Sequence, residues 1–198
     1  MAKNLYITAT EAKSGKSAIS LGVMEMLIRK LNKVGFFRPI INTLGPEEEQ
    51  DADIHLISTH FNLDIPYESM YGYTAEEANR LISLGKDEEL LEGIIAKYND
   101  LQKHYDFILC EGTDFVSSSS AFEFDINAEL SKNLGSPVLL VANAFQKNNE
   151  DTVHAIESAL DSLDEKGCKT IATVVNRLSS GQEKELMNLM REGGFTKE

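Results

Sequence analysis

Residues 10–17 combine small residues with lysine and hydroxyl side chains in the order TEAKSGKS. This order matches the phosphate-binding pattern G-x-x-x-x-G-K-[ST] at every fixed position except the first, where threonine replaces glycine. The backbone N–H groups of such a loop point inward at phosphates, and the following helix adds its positive dipole end. The sequence therefore predicts a phosphate-binding loop. Its predicted nucleotide-binding residues are Thr10, Glu11, Ala12, Lys13, Ser14, Gly15, Lys16 and Ser17.

The lysine and the serine that close this pattern each have a defined task. Lys16 would reach the β and γ phosphates, and the Ser17 hydroxyl would bind Mg²⁺. Lys13 adds a second positive charge near the phosphates, whereas Glu11 adds a negative one. ATP or another nucleoside triphosphate, together with Mg²⁺, is the predicted ligand. The competing interpretation is a chance Gly-Lys-Ser at the start of a helix.

Three carboxylates follow strand-like segments and are candidates for a metal site. Glu111 directly follows the apolar run 107–110, and Asp51 and Asp53 come after another strand-like run. Ligands of parallel sheets collect at the carboxyl ends of the strands, and Mg²⁺ prefers oxygen ligands. We expect Ser17, Asp53 and Glu111 to hold Mg²⁺, directly or through water. The alternatives are a turn-capping carboxylate for Glu111 and a solvated acidic loop for the two aspartates.

Two further polar residues stand at the ends of strand-like runs. The planar fork of Arg38 suits phosphate or carboxylate, so this residue is a candidate anion clamp; a surface arginine is the alternative. Asn176 both donates and accepts, as an adenine edge requires, and a turn-forming asparagine is the alternative. The serines at 117–120 are predicted to form a surface loop rather than a phosphate site. The four histidines show no metal spacing and receive no role.

Short apolar runs alternate with helical stretches along the chain. Strands are predicted at 5–9, 34–37, 107–110, 138–141 and 170–175, and helices at 16–31, 52–61, 75–84, 87–103, 125–134 and 182–191, with one more helix striped by Val153, Ile156, Leu160 and Leu163. Such alternation implies a mostly parallel sheet with right-handed crossovers. We therefore predict an α/β fold of three layers, of the P-loop NTPase type, with helices flanking the sheet.

Two residues are expected to mark element ends. Thr74 is a natural N-cap for the helix at 75–84. The pair Arg38-Pro39 is expected to close the second strand, because the residue before a proline is pushed out of helical geometry. The candidate site residues would then meet at one edge of the sheet.

Composition and charge narrow the classes of partner. The 198 residues suit one domain, and 32 acidic against 19 basic residues give a net charge of −13. This charge opposes docking on nucleic acid or on an anionic membrane, and no stretch approaches the roughly 20 apolar residues of a membrane span. The two cysteines, Cys110 and Cys168, lie in or beside predicted strands and are expected to be buried thiols. We expect a cytoplasmic protein.

Taken together, the motifs resemble those of the dethiobiotin synthetase-like branch of P-loop proteins. The residues that carry this resemblance are the loop at 10–17, Arg38-Pro39 in place of Lys-Pro, Asp53, Glu111-Gly112 and Asn176. A closer resemblance is to the N-terminal domain of long-form phosphate acetyltransferases. It is carried by three segments: residues 7–11 through 20–23, residues 36–40 and residues 110–114. The match spans the whole chain.

The resemblance implies a nucleotide-binding domain with a regulatory and structural role. In that family a C-terminal domain of the same polypeptide exchanges acetyl groups between coenzyme A and phosphate. One domain over 1–198 is therefore expected, as an N-terminal fragment of a longer protein, because the chain ends at 193–198 where the alternation calls for another strand. A homo-oligomer is the expected assembly.

Two other functions stay open. Dethiobiotin synthetase has a glycine-rich turn after its Glu-Gly, whereas Gly112 here leads to Thr113-Asp114-Phe115, and the active-site lysine of that enzyme is replaced by Arg38. These departures disfavour, without removing, a stand-alone ATP-dependent ligase. The other alternative is a structural module with a vestigial loop. Catalysis by this chain itself is left open.

Overall fold

A parallel sheet covered by helices on both faces forms the fold. The computed structural model describes residues 3–42, 50–113 and 120–194, with the backbone alone for 120–123. In chain order the elements are β1 (Lys3–Ala9), α1 (Lys16–Ile28), β2 (Val34–Ile41), α2 (Ala52–Phe61), a 3₁₀ turn (Tyr67–Ser69), β3 (Tyr71–Thr74), α3 (Ala75–Ser83), α4 (Asp87–Leu101), β4 (Phe107–Glu111), α5 (Ser120–Asn133), β5 (Val138–Asn143), α6 (Asn149–Glu165), β6 (Thr170–Asn176) and α7 (Glu183–Glu192). The predicted α/β class is confirmed.

The six strands lie in the order β3-β2-β4-β1-β5-β6, and every neighbouring pair is parallel. Parallel strands need crossover connections, which is why helices alternate with them along the chain. All carboxyl ends of the strands therefore lie at one edge of the sheet.

Alternate residues of the central strands enter opposite layers of the core, as the period of a strand requires. Tyr6 and Phe37 pack with α4 and α5, whereas Ile7 and Phe36 pack against α1 and α2. A third cluster joins β5 to α6 through side chains such as Leu140. This double covering explains why the strands read as continuous apolar runs.

Several predicted elements agree with the structure. Thr74 caps α3, and Glu77 completes a capping box with it. Cys110 and Cys168 are free thiols and are buried, as expected. The serines at 117–119 and the acidic residues at 47–49 lie outside the described residues. No helix in the part of the chain that the structure describes is both long and apolar enough to span a membrane.

The prediction that Arg38-Pro39 closes the second strand is wrong. β2 continues to Ile41, and Arg38 N donates to Met70 O. The pairing of β2 with β4 ends at Phe37 opposite Cys110, so Pro39 replaces no donor of that ladder. A proline is tolerated in a strand at such a position.

The strand β3 was absent from the predicted elements. It has only four residues, and its last residue, Thr74, also caps the next helix. Gly72 lets β3 approach β2, because a Cβ at this position would run into the carbonyl oxygen of Pro39. A short strand whose residues serve other purposes leaves little periodic signal.

Candidate functional site

The loop between β1 and α1 has the shape of an anion cradle. Gly15 is the N-cap of α1 with φ 89° and ψ 30°, and no side chain caps the helix there. Lys13 also has a positive φ of 57°. The first N–H groups of α1 are therefore left to a ligand or solvent, at the positive end of the helix dipole. This is the local geometry that the spacing of residues 10–17 predicts.

Ser14 and Lys16 are the buried residues of this loop. Lys16 is only 4% exposed. The hydroxyl oxygens of Thr10 and Ser14 are buried and have no hydrogen-bond partner among the described residues. Buried hydroxyls are seldom left without a partner, so this loop fits a polar ligand such as a phosphate. Thr10 N donates to Val141 O at 3.0 Å, which ties the start of the loop to β5.

Asn176, at the end of β6, lies against the same loop. Its Nδ2 donates to Ser14 O at 2.9 Å, and its Oδ1 accepts from Arg177 N at 2.9 Å. A Cβ on Gly15 would collide with this amide, so glycine is required there for packing as well as for its positive φ. Asn176 thus fastens the loop to β6. Its predicted contact with adenine stays a prediction and would use the remaining hydrogen and lone pair.

A buried ion cluster adjoins the loop. Arg38 Nη1 lies 2.5 Å from both carboxylate oxygens of Asp51 and 2.9 Å from Asp53 Oδ2, and Arg38 Nε lies 3.7 Å from Glu111 Oε1. Asp51 also caps α2, accepting from Asp53 N at 3.1 Å and Ile54 N at 3.0 Å. One guanidinium therefore neutralises part of the charge of three carboxylates.

The electrostatics of this cluster favour a proton on Glu111. The pKa of Glu111 is raised to about 7. Burial is the largest cause of this rise and the charge of Asp53 adds to it, whereas Arg38, Ser20 and Lys16 lower the pKa. Burial lowers the pKa of Arg38, but Glu111, Asp51 and Asp53 more than offset this and raise it. The arginine is charged at every accessible pH, whereas Glu111 changes charge near neutrality.

The predicted Mg²⁺ ligands share this edge of the sheet. Arg38 contacts both Asp53 and Glu111, and Ser17 lies in the first turn of α1. Glu111 Oε2 is buried without a hydrogen-bond partner among the described residues, which fits a carboxylate that can serve a cation. Within the ranges that the structure describes, no group of three or more His, Cys, Asp or Glu side chains is arranged for a metal. The assignment of Ser17, Asp53 and Glu111 stays a prediction.

The environment of Arg38 bears on its predicted role as an anion clamp. The residue is 4% exposed, which excludes the alternative of a surface arginine. Its guanidinium already pairs with carboxylates of this chain. To grip a phosphate it would have to give up part of that pairing. The clamp stays a prediction, and the observed contacts make Arg38 the central cation of the cluster.

Two supporting contacts at this edge were missed in the sequence. Glu11 of the loop accepts from Asn143 Nδ2 at 2.6 Å and pairs with Lys147 Nζ at 2.8 Å. Asn127 accepts from Tyr6 Oη at 2.8 Å and bonds both backbone groups of Thr113 at 3.1 Å. Asn143 ends the buried strand β5, and a polar residue at a strand end is the signal that also pointed to Asn176. Asn127 lies inside a helix and offers no such signal.

Gly112 provides a first test of this architecture. A Cβ there would lie 2.5 Å from Asn127 Oδ1 and 3.0 Å from Ile7 O. We expect Gly112→Ala to lower the free energy of unfolding by about 1–3 kcal/mol, because a crowded core must shift. Urea unfolding measures this change in the free energy of unfolding.

The matched control is Gly22→Ala inside α1, where a Cβ meets nothing within 4 Å. It should stabilise by about 0.5–1 kcal/mol through helix propensity, and equal effects at both positions would contradict the close packing of Gly112.

Comparison with known proteins agrees with this geometry. A family model described as an AAA domain matches residues 3–193. Phosphate acetyltransferase of Nitratidesulfovibrio vulgaris is 50% identical over 177 residues, and that of Synechocystis sp. is 38% identical over 178 residues; these alignments cover 89% and 90% of this chain and 25% of each relative. The chain thus spans about a quarter of the length of the curated relatives it matches.

Solved structures share the fold at low identity. A GTPase in apo form from Pyrococcus abyssi is similar with a TM-score of 0.57 at 19% identity, covering 94% of this chain and 72% of that one. A candidate plasmid partition protein from Borrelia burgdorferi B31, bound to AMPPNP, has a TM-score of 0.55 at 14% identity, covering 96% of this chain and 83% of the other. These likenesses confirm the predicted P-loop NTPase type of fold.

Proposed function

The chain belongs to the AAA-domain family whose model matches residues 3–193, and on this premise we propose that it binds ATP with Mg²⁺ at the loop after β1. The observation that carries the proposal is the loop itself. Gly15 opens the N-terminus of α1, Lys16 is buried next to it in the chain, and the hydroxyls of Thr10 and Ser14 are buried without partners among the described residues. Phosphate oxygens suit the open N–H groups at the start of this helix.

The chain's own residues divide the work of binding. Backbone N–H groups of the loop beyond Thr10 would hold phosphate oxygens, and Lys16 would neutralise the β and γ phosphates. Asn176 keeps the loop in place through Ser14 O and would meet the base. Ser17, Asp53 and Glu111 would hold Mg²⁺, directly or through water. The ion, when bound, offsets phosphate charge next to the acidic cluster.

The same domain is proposed to act as a regulatory and structural part of a phosphate acetyltransferase. Support comes from 50% and 38% identity to phosphate acetyltransferases over nearly the whole chain. The acetyl exchange between coenzyme A and phosphate would belong to another domain of the same polypeptide. Nucleotide occupancy of this domain would bias that activity. A cytoplasmic homo-oligomer is part of this proposal.

A thermal-shift titration with ATP and Mg²⁺ tests the binding step. Ligand at 100 times its dissociation constant stabilises the folded state by about 2.7 kcal/mol. For a chain of this size, we expect the melting temperature to rise by roughly 5–11 °C. A titration with GTP in place of ATP tests which base the site prefers. A titration with EDTA in place of Mg²⁺ tests whether binding requires the ion.

The controls distinguish the three functions that the sequence left open. No shift with any nucleoside triphosphate up to millimolar concentrations would favour a structural module with a vestigial loop. Release of ADP and phosphate in the presence of a small carboxylic acid or amine would favour the ligase. A shift without turnover supports the regulatory domain.

A further inference from the structure

A carboxylate in a phosphate-binding loop is an electrostatic conflict, and the structure shows how it is resolved. Glu11 is the second residue of the loop. Its side chain is held at both oxygens, with Oε1 accepting from Asn143 Nδ2 at 2.6 Å and Oε2 pairing with Lys147 Nζ at 2.8 Å. The side chains of Glu11 and Lys147 are 37% and 25% exposed. Both oxygens are therefore engaged by the segment that follows β5.

The turn that presents Lys147 is itself built to a fixed shape. Asn143 Oδ1 accepts from Phe145 N at 3.2 Å, and Ala144 O accepts from Lys147 N at 3.2 Å. Gln146 adopts a left-handed φ of 59°. Asn148 then caps α6 by accepting from Asp151 N at 2.7 Å. These hydrogen bonds fix the backbone that presents Lys147 to Glu11.

Charge explains why such a pairing matters for a phosphate ligand. An unpaired carboxylate at this position would repel a triphosphate, because like charges at short range repel each other. Burial raises the pKa of Glu11, but the hydrogen bonds from Lys147 and Asn143 and the charge of Lys147 more than offset this and lower it. Glu11 is thus ionised at neutral pH and needs its cationic partner.

We propose that Lys147 is a positioning residue of the nucleotide site: by pairing with Glu11 it holds this carboxylate against the β5–α6 turn and away from the phosphates. The inference rests on the proposed function. Lys147 acts through Glu11 and not by contact with the nucleotide. The pair also links the loop to the start of α6, so that the loop is held by β5 at Thr10, by β6 at Ser14 and by this turn at Glu11.

Four variants test the proposal by calorimetric titration with ATP and Mg²⁺. Lys147→Ala should weaken binding by roughly 3- to 10-fold, the scale of one partly exposed charge. Glu11→Gln supplies the background in which the charge of the carboxylate is absent. The double variant should return to within about twofold of Glu11→Gln, and Lys147→Arg should keep its affinity. The matched control is Lys166→Ala, which breaks a lysine–aspartate pair of 3.0 Å at the other end of α6 and should leave affinity unchanged.

A nucleotide-free measurement separates failure of this inference from failure of the proposed function. Carboxyl NMR titration should give Glu11 a pKa below its usual range, which moves back toward that range in Lys147→Ala. If the unaltered chain binds no nucleotide, the proposed function and the role of Lys147 in it both fall, whatever the titration shows. If the chain binds but Lys147→Ala weakens binding equally with and without Glu11→Gln, Lys147 acts on the phosphates directly and the inference is overturned. Equal affinity of all four variants also overturns it.

Discussion

Replacing Lys16 with alanine is expected to remove most of the stabilisation that ATP and Mg²⁺ give to this chain. Lys16 follows the N-cap Gly15 at the start of α1 and is 4% exposed, so a phosphate held at the open N–H groups of this helix would lie close to it. A hydrogen bond to a charged partner contributes about 1.5–3 kcal/mol, which corresponds to roughly a 10- to 100-fold loss of affinity. At a ligand concentration 100 times the original dissociation constant, a 100-fold loss leaves only about 0.4 kcal/mol of stabilisation. The shift in melting temperature should fall from roughly 5–11 °C to about 1–2 °C.

The measurement compares each variant with and without nucleotide, because Lys16→Ala also changes the stability of the free protein. Lys86→Ala is the matched control: this lysine pairs with Glu89 on the surface and is half-exposed. Its shift should equal that of the unaltered chain. An undiminished shift in Lys16→Ala would place the nucleotide elsewhere and remove the loop after β1 from the proposed function.

The strongest sequence signals are those in which backbone geometry depends on residue type. Gly15 must take a left-handed φ and also leave room for Asn176, and the residues around it form a pattern that few other structures require. Continuous apolar runs such as 138–141 identified central strands, because both faces of a parallel sheet are covered. The family membership expected from these motifs is confirmed by the match over residues 3–193.

What the sequence could not supply is the pairing of side chains that lie far apart along the chain. The sequence assigns Arg38 and Asn176 binding roles at the ends of strands, yet Arg38 pairs with carboxylates and Asn176 with the loop. Glu11 was recognised as a negative charge in the loop, but its partner Lys147 is 136 positions away. Partners of this kind depend on the order of strands in the sheet, and residue spacing alone does not give that order.

Replacing Arg38 with methionine is expected to be among the most destabilising single changes at this edge. The substitution keeps much of the side-chain volume but leaves Asp51, Asp53 and Glu111 without their shared cation. Removing one partner of a buried ion pair costs about 3–5 kcal/mol, because the remaining charge is uncompensated. At roughly 2–4 °C per kcal/mol, the melting temperature should fall by about 6–20 °C at pH 8. Arg29→Met is the matched control, since Arg29 pairs with Glu25 on the exposed face of α1, and its effect should stay within about 0.5 kcal/mol.

The pH dependence distinguishes loss of charge compensation from loss of packing. The pKa of Glu111 is raised from 4.5 to about 7 in the folded protein, so the folded state binds this proton more tightly than the unfolded state. The free energy of unfolding that this group contributes is therefore greatest below pH 4.5 and declines as the pH rises from 4.5 to 7. Since Arg38 lowers the pKa of Glu111, its removal raises that pKa further and extends the decline to higher pH. Arg38→Met should accordingly be more costly at pH 8 than at pH 5.

Urea unfolding at pH 5, 6, 7 and 8 measures both effects, and Glu111→Gln isolates the proton. The change in the free energy of unfolding caused by Glu111→Gln alone should be more favourable at pH 8 than at pH 5 by about 2–3 kcal/mol, because the amide needs no proton to be neutral. In the double variant with Arg38→Met, the extra cost at pH 8 should shrink, since one of the three uncompensated charges is gone. A cost of Arg38→Met that is the same at every pH would mean that Arg38 does not act through the charge of Glu111, and would contradict this prediction.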